Sequence, residues 1–301
     1  MSPGGEFRAG FVAVVGRPNA GKSTLVNALV GEKVSIVTAR PQTTRHRIIG
    51  IRSRPDSQVV FVDTPGLHAN ARKLINRTMN RAATSSLADA DLVLFVIEAG
   101  GWRAGDEHVL RRLAKASAPV ILVVNKADLV RPRTKMLPLL EAAGARQSFA
   151  GIVPVSALTG ENLGQLVELI LAQLPPGGRF YPDEMKTDRG RDFRIGEILR
   201  EKLMAALERE VPYGLAVEIG AVEDDGKLVR IDALIWVAKD SQRPIILGRG
   251  GERLKAIGQA ARLDLEAFLG KKVFLQTHVK VRRNWADDAR ALRQFGYEAG
   301  S

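Results

Sequence analysis

Cysteine is absent from all 301 residues. That absence removes disulfides, Cys-ligated zinc, iron–sulfur clusters and thiol nucleophiles together. Long apolar runs are also missing. The longest, around 119–124, is strand-sized and well short of the ~18 residues a membrane helix requires. The opening MSPGGEFRAG has no apolar core of signal-peptide type before Gly16. Acidic residues are in deficit, 33 Asp and Glu against 45 Lys and Arg, for a net charge of +12. The expectation is a soluble, cytoplasmic protein with a polyanionic partner, either nucleic acid or an anionic membrane surface. The membrane option carries with it a peripheral location on the inner face of the plasma membrane. Hydrophobic residues at 45% and charged residues at 26% suit a globular chain, and the length suits two domains. The excess charge is uneven: residues 1–180 carry 23 basic and 13 acidic side chains, residues 181–301 carry 22 and 20.

The first 175 residues alternate Val- and Ile-rich runs with helical spacing. The runs lie at 11–15, 48–51, 59–62, 92–97, 120–124 and 152–155; helical spacing covers 23–30, 73–87, 106–116, 134–143 and 163–174. This alternation predicts a mostly parallel sheet covered on both faces. Between 48–51 and 59–62 there is only the turn signal Arg54-Pro55-Asp56-Ser57, so that pair is expected as an antiparallel hairpin at the sheet edge. Pro175-Pro176-Gly177-Gly178 and the polar stretch 183–192 read as a linker. The expected organisation is a tail at 1–8, a first domain at 9–174, the linker at 175–192 and a second domain at 193–301. The second domain reads α-β-β-α-α-β. A helix at 195–210 precedes strands at 215–222 and 228–237. Then come 245–247, the sequence Gly248-Arg249-Gly250-Gly251, helices near 252–257 and 260–269, and a strand at 272–281. A last helix is expected at about 285–294, N-capped by Asn284.

Gly16-Arg17-Pro18-Asn19-Ala20-Gly21-Lys22-Ser23 matches G-x-x-x-x-G-K-[ST] and lies between a predicted strand and a predicted helix, as a phosphate-binding loop requires. The glycines let the backbone wrap an anion, and successive N–H groups point at it from the helix N-terminus, where Thr24 follows. Lys22 sets a cation against the β- and γ-phosphates, and the Ser23 hydroxyl is an expected Mg²⁺ ligand. Asp63-Thr64-Pro65-Gly66 ends a predicted strand; the Asp63 carboxylate can hold Mg²⁺ through water, and the Gly66 N–H can meet the γ-phosphate. Asn125-Lys126-Ala127-Asp128 follows another strand. Guanine presents an N1–H beside a 2-amino group, and one carboxylate accepts both, so Asp128 would select guanine over adenine. Asn125 can tie neighbouring loops, the Lys126 stem can lie along the ring, and the backbone of Ser156-Ala157-Leu158 can approach guanine O6.

In this order the motifs, with Pro41-Gln42-Thr43-Thr44-Arg45-His46 between them, resemble a Ras-like P-loop GTPase domain, and Pro18-Asn19 with Gln42–His46 narrows the resemblance to the Era subgroup. The second domain agrees: GxxG within α-β-β-α-α-β resembles a type II KH domain, whose loop clamps single-stranded nucleotides by their backbone. The resemblance runs over about 9–298. It implies an α/β domain, the P-loop GTPase sheet with helices on both faces, followed by an α+β type II KH domain. It also implies GTP and GDP as ligands with Mg²⁺, and Lys22, Thr43, Thr44 and Gly66 as the catalytic set. One of the switch threonines, Thr43 or Thr44, would ligate Mg²⁺ beside Ser23 and Asp63.

Ras-like enzymes place a water-orienting Gln after the DTPG glycine. Here Leu67 stands there and cannot hydrogen-bond water. In the resembling subgroup, Asn19 and the switch backbone hold K⁺, which supplies positive charge at the transition state. The segment 40–54 holds five arginines and no acid, a surface for RNA or solvent. In the second domain Ile246, Gly248, Arg249, Gly250, Gly251, Arg253 and Lys255 are the expected RNA contacts, with Leu254 and Ile257 alongside; 239–283 carries 11 basic and 4 acidic residues. The function implied is a monomeric GTP-hydrolysing switch that binds the 3′ end of 16S ribosomal RNA and acts in assembly of the small ribosomal subunit. A tRNA- or membrane-linked GTPase of the same superfamily is the alternative.

Overall fold

The computed structural model describes residues 6–66, 73–114 and 116–297. The chain divides into two units by its contacts. The first holds 6–35, 44–66 and 79–188; the second holds 36–43, 73–78 and 189–297.

The first unit is built on six strands, β1 (Arg8–Val15), β2 (Ile48–Arg54), β3 (Ser57–Asp63), β4 (Leu92–Glu98), β5 (Val120–Asn125) and β6 (Gly151–Pro154), in the order β2-β3-β1-β4-β5-β6. Every pairing is parallel except β2 with β3, the expected edge hairpin. Side chains alternate between faces along each strand. Val12, Val14, Phe61, Leu94, Val96, Ile121 and Val123 face α1 (Lys22–Val30) and α5 (Leu163–Gln173). Ala13, Val15, Val93, Phe95, Ile97, Leu122 and Val124 face the other way. They meet Ala83 of α2 (Leu74–Ala88), Val109, Leu110 and Leu113 of α3 (Ala104–Leu113), and Ala143 of α4 (Met136–Gly144). Both faces are apolar, so the strands read as continuous Val/Ile runs. Each large aliphatic or aromatic side chain buried this way stabilises the sheet by about 1.5–3 kcal/mol. The segment expected as a linker is laid against β2 and β3. The buried Gln58 side chain accepts the backbone N–H groups of Phe180 and Tyr181 at 2.8 and 3.0 Å, and Tyr181 and Met185 pack on Ile49, Ile51 and Val60.

The second unit has a three-stranded sheet, β7 (Leu215–Asp224), β8 (Leu228–Val237) and β9 (Lys272–Val281), in that order. β7 and β8 are antiparallel; β8 and β9 are parallel. A parallel pair needs a crossover, and α7 (Gln242–Leu247) and α8 (Glu252–Leu269) supply it. Val229, Ile231, Ala233, Ile235 and Val237 alternate inward along β8 and pack with Leu199 and Leu203 of α6 (Arg191–Ala206) and with Ile257, Ala261 and Leu265 of α8.

Two local expectations are corrected here, and residues 245–247, to which the sequence reading assigns no element, end α7. The two helices expected at 252–257 and 260–269 are one 18-residue helix that runs through Gly258; a mid-helix glycine costs only about 1 kcal/mol, less than the buried face of α8 returns. At the C-terminal end, Trp285–Asp287 is a 3₁₀ turn and α9 spans Ala289–Gln294. Its N-cap is Asp288, whose side chain accepts the Arg290 N–H at 2.8 Å, while Asn284 sits left-handed at φ 55° in the preceding turn.

Within this unit, residues 36–43 are held along α6 by polar links. The Val37 N–H donates to Glu201 at 2.9 Å, and Arg40 Nε donates to the Met204 carbonyl at 2.6 Å. Arg200 is 1% exposed; its guanidinium pairs with Glu197 and donates to the Thr43 carbonyl.

Candidate functional site

The β1–α1 connection wraps back on itself through two left-handed residues, Asn19 (φ 66°) and Gly21 (φ 89°). A Cβ at Gly16 would lie 2.3 Å from the Val96 carbonyl oxygen, so only glycine fits where the loop leaves the sheet. Ala20 is buried, and Arg17 and Pro18 line the same turn, with Gly66 packed against Pro18. Lys22 folds back into the loop and donates to the Gly16 and Arg17 carbonyls, both at 3.1 Å. Burial pushes its ammonium down to about 8; Asp63 opposes this shift and Arg17 adds to it.

Ser23, at the start of α1, and Thr44 bring their hydroxyls to 2.8 Å from one another, and Thr44 Oγ1 lies 3.5 Å from Asp63 Oδ2. Asp63 is fully buried at the end of β3, and its Oδ1 has no hydrogen-bond partner. Burial pushes its carboxyl above the usual range, opposed by Lys22 and by the hydroxyls of Ser23, Ser35 and Thr44. The next residue, Thr64, ties the turn to β1 by donating to the Val14 carbonyl at 2.8 Å. Thr43 is turned elsewhere: its hydroxyl is 2.6 Å from that of Thr38 and donates to the Arg40 carbonyl at 2.8 Å. The structure therefore brings Thr44, not Thr43, to Ser23 and Asp63. Leu67 lies outside the described residues.

Asn125 is the tie between loops. Its Nδ2 donates to the Ala20 carbonyl at 3.0 Å, and its Oδ1 accepts the N–H groups of Lys126 and Ala157 at 2.8 and 3.0 Å. Lys126 Nζ donates to the Asn19 carbonyl at 2.9 Å. Asp128 Oδ1 is shut off from solvent and without a partner. Ser156 is buried, its Oγ accepting the Thr159 N–H, and Leu158 is 80% exposed. Sequence reasoning missed Glu98. Its carboxylate pairs with both Arg17 and Lys126. Burial alone would raise it, but the hydrogen bonds from Lys126 and Arg17 outweigh that and hold it below the usual carboxylate range. A strand-end acid between two basic motifs was its only signal in the sequence.

In the second unit, Gly248, Gly250 and Gly251 all have positive φ (71°, 57° and 84°), and a Cβ at Gly248 would lie 2.6 Å from that of Arg253. Arg249 and Gly250 are exposed. Ile246 is corrected. It is fully buried in the core with Ile257, because α7 turns that face inward, and neither can touch a ligand. Arg253 is spent locally, donating to the Ile245 carbonyl at 2.7 Å. The groove beside the loop, about 510 Å³, is lined instead by Leu254, Lys255, Gln259 and Arg262 of α8 with Leu275 and Thr277 of β9. Residues 255, 259 and 262 share one helical face, a pattern that becomes legible only once α8 is continuous.

Comparison with known proteins agrees with this arrangement. A 50S ribosome-binding GTPase family matches residues 11–126 and a KH domain family matches 210–286. GTPase Era of Coxiella burnetii is 48% identical over 289 residues, covering 96% of this chain and 98% of the relative. GTPase Era of Xanthomonas oryzae pv. oryzae is 50% identical over 291 residues, covering 97% of each. Among solved structures, Era in complex with MgGDPNP and nucleotides 1506–1542 of 16S ribosomal RNA superposes with a TM-score of 0.94 at 40% identity, covering 97% of this chain and 99% of that one. An Aquifex aeolicus Era variant bound to GDP and AlF₄⁻ gives 0.93 at 39%, covering 97% and 100%. With a P-loop, a guanine-type carboxylate and a GxxG groove in one chain, and relatives at this identity over nearly its whole length, the chain belongs to the Era family of GTPases.

Proposed function

We propose that the protein hydrolyses GTP to GDP and phosphate and binds the 3′ end of 16S ribosomal RNA through its second unit, acting in assembly of the small ribosomal subunit. The observation that carries the nucleotide half is the unpartnered, buried Asp128 Oδ1 at the far end of the loops tied by Asn125. A buried acceptor without a donor costs free energy until a ligand supplies one, and guanine supplies two.

The backbone N–H groups at 16–21, other than Pro18, and Lys22 bind the phosphates. An arriving polyanion raises the lowered Lys22 pKa and restores its full charge where the β–γ bond breaks. Ser23, Thr44 and Asp63 would hold Mg²⁺: hydroxyls with one carboxylate leave room for waters and phosphate oxygens, and the orphaned Asp63 Oδ1 suits a cation or its water shell. When bound, Mg²⁺ neutralises charge on the phosphates. K⁺ at Asn19 is the further cation of this reading. Thr44 and the Gly66 N–H position the attacking water and γ-phosphate in the absence of a glutamine. The RNA reading rests on the GxxG loop and the basic α8 face, and on the Era relative crystallised with 16S rRNA.

The test is nucleotide choice. Equilibrium dialysis should give GTP and GDP binding with ATP at least about a hundredfold weaker. Asp128→Asn should lose GTP and gain xanthosine triphosphate, whose O2 accepts from the new amide. Equal affinity for ATP and GTP overturns the assignment.

A further inference from the structure

Away from the nucleotide loops, the first unit contains a cavity of about 740 Å³ between the C-terminal half of α2, α3 and the start of the connection to β5. That volume lies within the range of small-molecule sites. Leu87, Ala88 and Ala116 form an apolar wall, and His108, Arg111 and Arg112 stand along α3 beside it. No carboxylate lines the cavity among the described residues. The side chains of Arg111, exposed, and Arg112, half-buried, make no ion pair among the described residues. His108 Nε2 is shut off from solvent and lacks a partner. Burial, then Arg112 and Arg111, push its imidazole below the usual range. Two guanidinium groups and the edge of one imidazole thus border the cavity, with no carboxylate beside them in its described lining.

We propose that this cavity binds a small organic anion, a phosphate monoester carrying an apolar body. Its head would lie against Arg111, Arg112 and His108, and its body over Leu87, Ala88 and Ala116. A dianion with three terminal oxygens matches two guanidinium forks better than a chloride or a single carboxylate does. The apolar wall adds the area that inorganic phosphate cannot bury. The site is separate from the nucleotide site and does not depend on how that site is read.

The probe is 1-naphthyl phosphate, titrated into the full chain loaded with GDP and Mg²⁺ so that the P-loop is filled. One saturable site is expected, with 1-naphthol and inorganic phosphate each weaker by about tenfold or more. The pair Arg111→Glu and Arg112→Glu should weaken the probe by about tenfold or more. Ala88→Trp, which fills the cavity without touching a charge, should abolish binding. GDP affinity should be unchanged in both variants, which reports that the unit is folded. Binding that survives both sets of changes, or inorganic phosphate that matches the naphthyl ester, overturns the proposal.

Discussion

The nucleotide loops and the GxxG groove are both proposed here to bind phosphate through backbone, yet they are built by opposite means. In the first unit the functional side chains are buried or half-buried and already bonded: Lys22 to two carbonyls, Asn125 to three loops, Arg17 and Lys126 to one carboxylate. What is left over is a small set of orphaned acceptors, Asp63 Oδ1 and Asp128 Oδ1. In the second unit the loop takes its geometry from three glycines with positive φ, and Lys255 stands exposed on the groove. The lesson is physical. A preorganised, desolvated site reads chemical identity, because a wrong ligand leaves buried groups unpaired. An exposed basic cradle reads charge and backbone shape, and yields to salt.

The sharpest way to break this contrast is to separate two neighbouring threonines. Thr44→Ala removes the hydroxyl beside Ser23 and Asp63 and should lower the turnover of GTP about a hundredfold. Thr43→Ala, whose hydroxyl faces Thr38 and Arg40, should leave turnover within about threefold. Single-turnover hydrolysis with saturating Mg²⁺ measures both; equal losses would overturn the assignment of distinct roles to the two hydroxyls.

Burial in the first site should also be visible as pH-dependent stability. Lys22 falls from 10.5 to about 8 on folding. Between those values the unfolded chain binds the extra proton, so stability of the nucleotide-free protein rises with pH across that window. The cost of burying the charge is fully present below about pH 8 and is relieved towards pH 10.5, by roughly 2–3 kcal/mol. Lys22→Met, compared with the parent in urea melts from pH 7.5 to 10, should lack this rise, and saturating GTP with Mg²⁺ should flatten it in the parent. A parent curve parallel to that of the variant would rule out a desolvated Lys22.

The exposed site should respond more gently. Arg249→Asp with Gly250→Asp should weaken single-stranded RNA by about tenfold, with GTP binding intact; aspartate tolerates the left-handed φ of Gly250, and nothing lies within 4 Å of a Cβ there. Lys255→Ala and Arg262→Ala should each lower the slope of log affinity against log salt by about one. Ile246→Ala should instead cost about 2–5 kcal/mol of stability and leave that slope unchanged, since Ile246 is core. Filter binding across a salt series, alongside melting curves, distinguishes the two; a changed slope in the Ile246 variant would put that side chain back at the RNA.

Much of the molecule was legible in its residues. Val/Ile runs of strand length separated by helical spacing predicted a parallel sheet with two covered faces, because the period of burial is set by local geometry. The short turn at 54–57 predicted the antiparallel edge for the same reason. The order of GRPNAGKS, DTPG, NKAD and SAL identified the nucleotide loops, since each needs particular residue types at a particular backbone bend. Tertiary structure decided what periodicity cannot encode. Thr43 and Thr44 are chemically identical neighbours, and only the folded partners of each tell them apart: Thr38 and Arg40 for one, Ser23 and Asp63 for the other. Glu98 acquires its role from Arg17 and Lys126, 81 and 28 residues away. Ile246 looked like a groove residue beside GxxG, and became core because α7 rolls it inward; α8 ran through Gly258 because a buried helical face outweighs one glycine's entropy. Those outcomes depend on contacts between distant segments, which a one-dimensional pattern of apolar and polar residues does not specify.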